Sequence, residues 1–263
     1  MYDYIHNVCY WIGSKRYHNL KMIINNIKDL HLNNVLILFN VMYDDNNFDK
    51  TDFENLKLER TNTLDIDILY NFNSGGTVKS LYYTYQYIKK KNISCNLVAT
   101  YEDDYSFKDI NTFKRASELL KEGYIFVGSS WYNEKTEYSD EYVLNNDTCF
   151  HSFANVDFEK NAKGRGKRLQ NFHISKGGNS DYFTKELYIW TEDPYITTYD
   201  NLNKIYEKMG VFTLAPDNEL YEKNQHGISY GEIGFCVRLS LNGFKFIGLL
   251  HDTYFKYLDT TYY

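Results

Sequence analysis

The chain has 263 residues, of which 43% are hydrophobic and 24% charged, enough for a substantial core in an ordinary globular protein. Its formal net charge of −6 and pI near 5.7 exclude a strong basic field, so we expect no nucleic acid partner. Aromatic residues make up 18% of the chain. Because a compositional bias toward tyrosine enriches it throughout the chain, we do not interpret tyrosine-rich patches as sugar-binding surfaces.

The strand-like and helix-like segments of the first half follow one another along the chain. The predicted strands are 8–12, 35–39, 65–70, 96–100 and 124–127, and the predicted helices are 20–30, 78–88 and 110–120. This repetition predicts an α/β fold with a Rossmann-like, open, mainly parallel sheet flanked by helices. Ligands bind such sheets at the carboxyl ends of the strands, where every candidate site residue of the first half lies.

The second half of the chain is more irregular. Residues 132–168 are polar with little periodicity and indicate an insertion or a lid. Apolar residues at helical spacing predict a helix at 202–209. The runs 235–239 and 244–250 predict two strands, joined as a hairpin at Asn242-Gly243. No linker separates a second unit, so we expect one domain over residues 1–263.

The cysteines and the N-terminal residues bear on the compartment. Cysteines 9, 95, 149 and 236 lack the paired spacing of a zinc site or a disulfide framework, and reduced thiols fit a cytoplasmic protein. No basic region followed by an apolar stretch marks a signal peptide. The longest apolar runs are too short to span a bilayer. We therefore expect a cytoplasmic protein without a transmembrane segment.

Three carboxylates, Glu102, Asp103 and Asp104, follow the predicted strand 96–100. Like charges repel at this spacing unless a cation neutralises them, and oxygen ligands suit Mn²⁺ or Mg²⁺ ions that also bind substrate phosphates. Alternation along an extended chain would aim Glu102 and Asp104 to the same side. Taken alone, the tripeptide is equally compatible with a solvated turn before the next helix.

A glycine-containing turn, Asn73-Ser-Gly75-Gly76, stands between a predicted strand and the helix that includes Lys79. Glycines at such a position let backbone amides approach an anion at the helix N-terminus. By itself this is also an ordinary strand-to-helix turn.

The order of these motifs resembles the core of the GT-A glycosyltransferases, in which an Asp-x-Asp type motif follows the central strand. The resemblance implies that Asp104 ligates a metal ion and bridges it to the diphosphate, with Glu102 and His251 as further ligands. Glutamate at the first motif position departs from the pattern and leaves open whether Glu102 or Asp103 faces the ribose or the metal. The implied donor-binding residues are Tyr10, Trp11, Ile12, Gly13, Asn73, Gly75, Gly76, Lys79, Glu102, Asp103, Gly177 and Gly178.

Three segments of the second half resemble the family more weakly. Gly177-Gly178 resembles the glycine-rich loop near the donor sugar, and it is also typical of a surface turn. The segment from Gly231 to Arg238 resembles the one that holds the catalytic acid, which implies Glu232 as base, although Ile233 stands where an aspartate is expected. His251 follows the predicted strand 244–250, as the family's metal-binding histidine does, and a structural histidine is the alternative.

The resemblance implies a metal-dependent glycosyltransferase with a nucleotide-sugar-binding half (1–130) and an irregular acceptor-binding half (131–263). It would move a hexosyl or pentosyl unit from a UDP- or GDP-sugar to a hydroxyl group of a glycan or another acceptor. Inversion follows if Glu232 lies opposite the leaving group; otherwise retention is equally open. A closing lid at 132–168 would cover an acceptor cleft shaped by Trp131, Tyr182, Tyr188, Trp190 and Tyr195.

Two alternatives remain open at this point. A sugar nucleotidyltransferase uses a related sheet and a metal, and Gly13-Ser-Lys-Arg16 matches its glycine-rich loop in part, with one glycine. A non-catalytic glycan-binding protein on the same fold would keep the core periodicity and lose the metal. A Ser-His-Asp hydrolase and a Walker-type phosphate loop are disfavoured because their glycine motifs are absent from the sequence.

Overall fold

The computed structural model describes residues 1–43, 48–72, 76–130, 192–209, 235, 239, 243–250 and 254–258. The strands are β1 (Tyr2–Trp11), β2 (Val35–Tyr43), β3 (Leu64–Phe72), β4 (Cys95–Glu102), β5 (Tyr105–Phe107), β6 (Phe126–Ser130), β7 (Glu192–Thr197), β8 (Phe246–Leu250) and β9 (Phe255–Tyr257). Seven of them form one sheet in the order β3-β2-β1-β4-β7-β6-β8. All neighbours in it are parallel except β7, which is antiparallel to β4 and β6. The predicted α/β fold with a mainly parallel sheet is confirmed.

The helices agree with the periodic segments of the sequence. They are α1 (Tyr17–Asp29), α2 (Thr51–Asn55), α3 (Gly76–Lys91), α4 (Asn111–Lys121) and α5 (Tyr199–Met209), with 3-10 turns at Ile12–Ser14 and Leu56–Glu59. The four predicted helices correspond to α1, α3, α4 and α5. None of the helices in the described part of the chain combines the length and apolar composition needed to cross a membrane.

Helices cover both faces of the sheet, as strand β2, buried along almost its whole length, requires. Successive residues of β1 point to opposite faces. The His6 ring contacts Phe113 of α4, with ring centroids 5.4 Å apart, whereas the Asn7 amide donates to the Ser80 hydroxyl of α3 at 2.9 Å. α3 and α4 therefore lie on opposite sides of the central strand.

A buried polar network ties α3 to three strands of the sheet. The Asn7 amide on β1 bonds to Ser80, and the Asn40 amide on β2 donates to the Ser80 backbone carbonyl at 3.1 Å. Asn40 in turn accepts a hydrogen bond from the Asn71 amide on β3. Such satisfied buried networks favour one arrangement of the elements they join. The network therefore helps to fix α3, whose first turn lies beside Glu102.

A small second sheet fixes the chain that follows the acidic motif. β5 pairs antiparallel with β9, and the hydroxyl groups of Tyr105 and Tyr257 are 2.7 Å apart. The Leu258 backbone amide donates to the Asp104 carbonyl oxygen at 2.7 Å. The residue that directly follows β9 thus holds the backbone of the acidic motif in place.

The hairpin predicted near Asn242-Gly243 is wrong. Phe235 and Leu239 are helical and buried, and β8 pairs in parallel with β6 instead of returning along 235–239. Two buried apolar residues four positions apart fit one face of a helix, which the short apolar run could not distinguish from a strand. Gly243 has a positive φ of 76°, and the Phe244 amide donates to the Leu239 carbonyl at 3.0 Å, so this glycine follows a helix.

The strand β7 was not predicted, because its six residues include two acids and a proline. It brings Tyr195 into the core, where this side chain is 1% exposed and packs against Phe126 with ring centroids 5.1 Å apart. The expected place of Tyr195 in an acceptor cleft is therefore wrong. A tyrosine on a central strand that faces the hydrophobic core is a packing residue.

Candidate functional site

The acidic motif lies at the carboxyl edge of the sheet, where parallel sheets bind their ligands. β4 ends at Glu102, and the neighbouring β1 ends at Trp11. β7 runs in the opposite direction, so its first residues, including Asp193, lie at this same edge. Four carboxylates from two strands and the turn that follows β4 thus meet there.

Glu102 is surrounded by acidic groups. Its backbone amide donates to the Asp193 carboxylate at 2.7 Å, and its own carboxylate accepts from the Thr77 hydroxyl on the first turn of α3 at 3.3 Å. Burial, and then the charges of Asp193, Asp104 and Asp103, raise the pKa of Glu102 to about 8. A cation at this position would relieve the repulsion.

Asp103 and Asp104 are both bound by Arg16, which follows the 3-10 turn after β1. The guanidinium donates to both Asp103 oxygens, at 2.7 and 3.1 Å, and to Asp104 Oδ2 at 2.9 Å. Burial raises the pKa of Asp103 to about 6 and the Arg16 charge opposes that rise, so Asp103 is ionised at neutral pH. β4 ends at Glu102, and the expected alternation does not continue to Asp104 because Asp103 and Asp104 form a turn.

The second oxygen of Asp104, Oδ1, is buried without a hydrogen-bond partner among the described residues. Leaving such an acceptor unsatisfied costs about 1–3 kcal/mol, so the arrangement fits a site that is completed by a ligand. Within the described part of the chain, no three His, Cys, Asp or Glu side chains are arranged to hold an ion by themselves. Mn²⁺ and Mg²⁺ are commonly held by one or two carboxylates together with substrate phosphates and water, a demand that Glu102 and Asp104 fit.

The turn after β1, predicted to hold the nucleotide base, divides into buried and exposed residues. Tyr10 is 3% exposed and packs against Phe53 in the core, whereas Trp11 is 44% exposed. The Trp11 indole lies against Gly13, where a Cβ atom would be 2.4 Å from Trp11 Cζ2. Ile12 is half-buried between them. Trp11 is therefore the residue of this turn that offers an accessible aromatic face.

The start of α3 brings part of the predicted glycine turn next to the acidic cluster. Gly76 begins the helix with a positive φ of 62°, which favours glycine, and Thr77 contacts Glu102. Lys79 is half-buried, and its ammonium lies 5.9 Å from the centroid of the Tyr83 ring. Asn73 and Gly75 lie outside the described residues.

The weaker candidates of the second half also lie outside the described residues. These are the glycine pair Gly177-Gly178, the implied base Glu232, the implied metal ligand His251, the segment 132–168 and the aromatic residues Trp131, Tyr182, Tyr188 and Trp190. Their roles stay predictions. β8 ends at Leu250, the residue before His251 in the chain, and β9 pairs with β5, which follows the acidic motif.

Sequence reasoning missed Asp193 and the role of Arg16. Asp193 is 5% exposed and belongs to a strand that was not predicted, although an acid at a strand start next to Pro194 is a weak signal. In the sequence, Arg16 belongs only to the partial match with the nucleotidyltransferase loop. Its long separation from Asp103 in the chain gave no sign of their contact.

No protein-family model matches the chain, and no curated protein matches it. Among solved structures, S. aureus TarS 1–349 in complex with UDP is 13% identical over 96% of this chain, with a TM-score of 0.48. The complex of the same protein with UDP-GlcNAc is 14% identical over 97%, with a TM-score of 0.46. The apo form of mouse xyloside xylosyltransferase 1 is 9% identical over 94%, with a TM-score of 0.44, and 84% of its chain is covered.

At 9 to 14% identity and with TM-scores below 0.5, these similarities do not assign a function to this chain. The chain spans 59% and 58% of the two TarS chains. The function of this protein is therefore inferred from its own residues.

Proposed function

We propose that this chain is a metal-dependent glycosyltransferase that uses a nucleoside diphosphate sugar, UDP- or GDP-linked, as donor. The observation that supports this most directly is the acidic cluster at the carboxyl edge of the sheet. Glu102 lies among like charges there. The buried Oδ1 of Asp104 has no hydrogen-bond partner among the described residues. A cation bound to a diphosphate would satisfy both groups.

The neighbouring residues give the donor a consistent place. Glu102 and Asp104 would hold Mn²⁺ or Mg²⁺, which when bound neutralises charge on the departing diphosphate. Trp11 would stack on the base, and the backbone amides at the start of α3 would face the phosphates. The half-buried Lys79 lies on the first turn of the same helix. These groups come from β1, from β4 and the turn after it, and from α3, which end or begin at this edge.

The finer points of the function belong to the same proposal. His251 completes the metal site, Gly177-Gly178 contacts the donor sugar, and residues 132–168 close over the site as a lid. Glu232 deprotonates the acceptor hydroxyl, which gives inversion at the sugar carbon. The acceptor is a glycan or another hydroxyl compound in the cytoplasm, and the transferred unit is a hexose or a pentose.

The nucleotidyltransferase alternative is disfavoured by the position of Arg16. In that class the basic residues of the loop after the first strand would meet the nucleoside triphosphate. Here the Arg16 side chain is 4% exposed and is engaged with Asp103 and Asp104.

A thermal-shift series with nucleoside diphosphates and their sugars, with and without Mn²⁺, tests the proposed function. Ligands that bind the native state stabilise it, by about 2.7 kcal/mol at a free ligand concentration one hundred times Kd, and so raise its melting temperature. We expect stabilisation by one nucleoside diphosphate, only when Mn²⁺ is present. Stabilisation by nucleoside triphosphates would favour the nucleotidyltransferase, and no response to any nucleotide would favour the glycan-binding protein.

The variant Gly13→Ala tests the proposed base-binding role of Trp11. The new methyl group would force the indole off Gly13, since their atoms would lie 2.4 Å apart. Loss of a base-stacking contact costs about 1–3 kcal/mol, so nucleotide affinity should fall by roughly five- to a hundredfold. The exposed ring can swing into solvent, and the melting temperature of the free protein should change little. Trp11→Ala should show the same loss, and wild-type affinity in both variants would exclude the stacking role.

A further inference from the structure

Arg16 forms a buried three-bond contact with the acidic motif. It donates two hydrogen bonds to Asp103, from Nη2 to Oδ1 at 2.7 Å and from Nε to Oδ2 at 3.1 Å. A third bond joins Nη1 to Asp104 Oδ2 at 2.9 Å. The planar guanidinium fork sets the orientation of a carboxylate in a way that a single ammonium cannot.

The contact treats the two aspartates differently. Both oxygens of Asp103 accept from Arg16, whereas Asp104 is bound through Oδ2 and its Oδ1 lacks a hydrogen-bond partner in the described part of the chain. The Asp104 carbonyl oxygen is held separately by the Leu258 amide at 2.7 Å. Asp104 is thus fixed at its backbone and at one carboxylate oxygen, and the other oxygen is left for a ligand.

Arg16 also connects this motif to the turn after β1. Lys15 has a left-handed backbone with φ 57°, uncommon for a residue other than glycine, directly before Arg16 turns inward. The Ser14 hydroxyl accepts from the Arg16 amide at 3.4 Å and lies 3.5 Å from Asp103 Oδ2. The residues that follow Trp11 are therefore joined to the acidic motif through Arg16 and Ser14.

We propose that Arg16 is a positioning residue for the metal and donor site. It orients Asp104 so that Oδ1 faces the ligand, and it holds the turn after β1 in place beside the acidic motif. Asp103 acts in this arrangement as the anchor of the guanidinium. This inference rests on the proposed function. A purely structural ion pair would stabilise the fold without setting the affinity for a metal ion.

Two variants that preserve net charge separate these roles. Arg16→Lys keeps the positive charge and loses the fork. Arg16→Leu combined with Asp103→Leu removes the pair as a unit, since a buried ion pair can be replaced by apolar residues without loss of the fold, whereas removal of one partner leaves a buried charge. The matched control is Lys15→Gln, which removes a charge at the exposed neighbouring position.

The affinity for Mn²⁺ alone is measured from the signal of the free ion by electron paramagnetic resonance, well below the melting temperature of each variant. We expect Kd to rise at least tenfold in Arg16→Lys and in the double variant, in line with other residues that orient metal ligands, and to stay near the wild-type value in Lys15→Gln. Wild-type Kd in whichever of the two variants folds would overturn the positioning role. Should the wild-type protein itself bind neither Mn²⁺ nor nucleotide, the proposed function would fail, which is a separate result.

Discussion

The Asp104→Asn variant should lose metal-dependent nucleotide binding and about a hundredfold or more of kcat/KM while it keeps its fold. The asparagine carbonyl can still accept from Arg16, as Asp104 Oδ2 does at 2.9 Å. Its amide nitrogen would then take the position of Oδ1. The N–H groups there donate hydrogen bonds, carry partial positive charge and cannot ligate a cation. Losing several kcal/mol of charge stabilisation corresponds to a rate effect of this size. Mn²⁺-dependent thermal shifts and steady-state kinetics measure the two effects.

Two further variants are compared with Asp104→Asn. Asp109→Asn changes an exposed acid in the same part of the chain, beyond β5, and should behave as wild type. Glu232→Gln should keep metal-dependent donor binding and lose transfer, because a base is not needed to bind the donor. An Asp104→Asn protein that still binds nucleotide only with Mn²⁺ would remove Asp104 from the metal site.

Acid should remove the contribution of His6 to stability. This buried residue of β1 has no part in the proposed chemistry. Burial lowers the pKa of His6 to about 3, and Nε2 has no hydrogen-bond partner among the described residues. The unfolded chain, with a histidine pKa near 6.5, therefore binds the proton more readily than the native state. The contribution of His6, fully present above about pH 6.5, is lost as the pH falls, by about 1.4 kcal/mol per unit and about 3 kcal/mol by pH 4.

Urea unfolding at a series of pH values from 7 to 4 measures this dependence. His6→Phe should remove this contribution, so its stability relative to the wild type should rise by about 3 kcal/mol between pH 7 and pH 4. The raised pKa values of Glu102 and Asp103 act in the opposite direction, equally in both proteins, and drop out of this difference. The phenylalanine ring suits the aromatic surroundings of Phe107 and Phe113 and carries no proton. Tyr101→Phe is the matched control, because it removes the hydroxyl that lies 3.2 Å from Nδ1 and leaves the titrating ring in place. Equal slopes in the wild type and His6→Phe would show that acid acts elsewhere.

Much of the first half was predictable from the sequence because its signals are local. The run at 35–39 became β2, buried along almost its whole length, and Leu20, Ile23, Ile24 and Ile27 face the core from α1. The acidic motif was expected at the end of a strand and lies there. Periodicity reports which residues are buried together in one element, and the edge of a parallel sheet follows from strand direction.

The second half was less predictable because its decisive contacts join distant parts of the chain. The run at 235–239 fitted a strand by its apolar character, and the structure makes Phe235 and Leu239 helical. β7 has a weak local pattern, and its place between β4 and β6 depends on pairing with both. No local signal specified either outcome.

The sequence by itself determined the alternation of strands and helices and the position of Glu102, Asp103 and Asp104 at a strand end. The tertiary structure decided what surrounds these acids. It places Arg16 on Asp103 and Asp104, and it brings Asp193 against the Glu102 amide through a strand that runs antiparallel to its neighbours. Local periodicity encodes burial within one element, whereas the partner of a buried charge is set by which distant elements pack together.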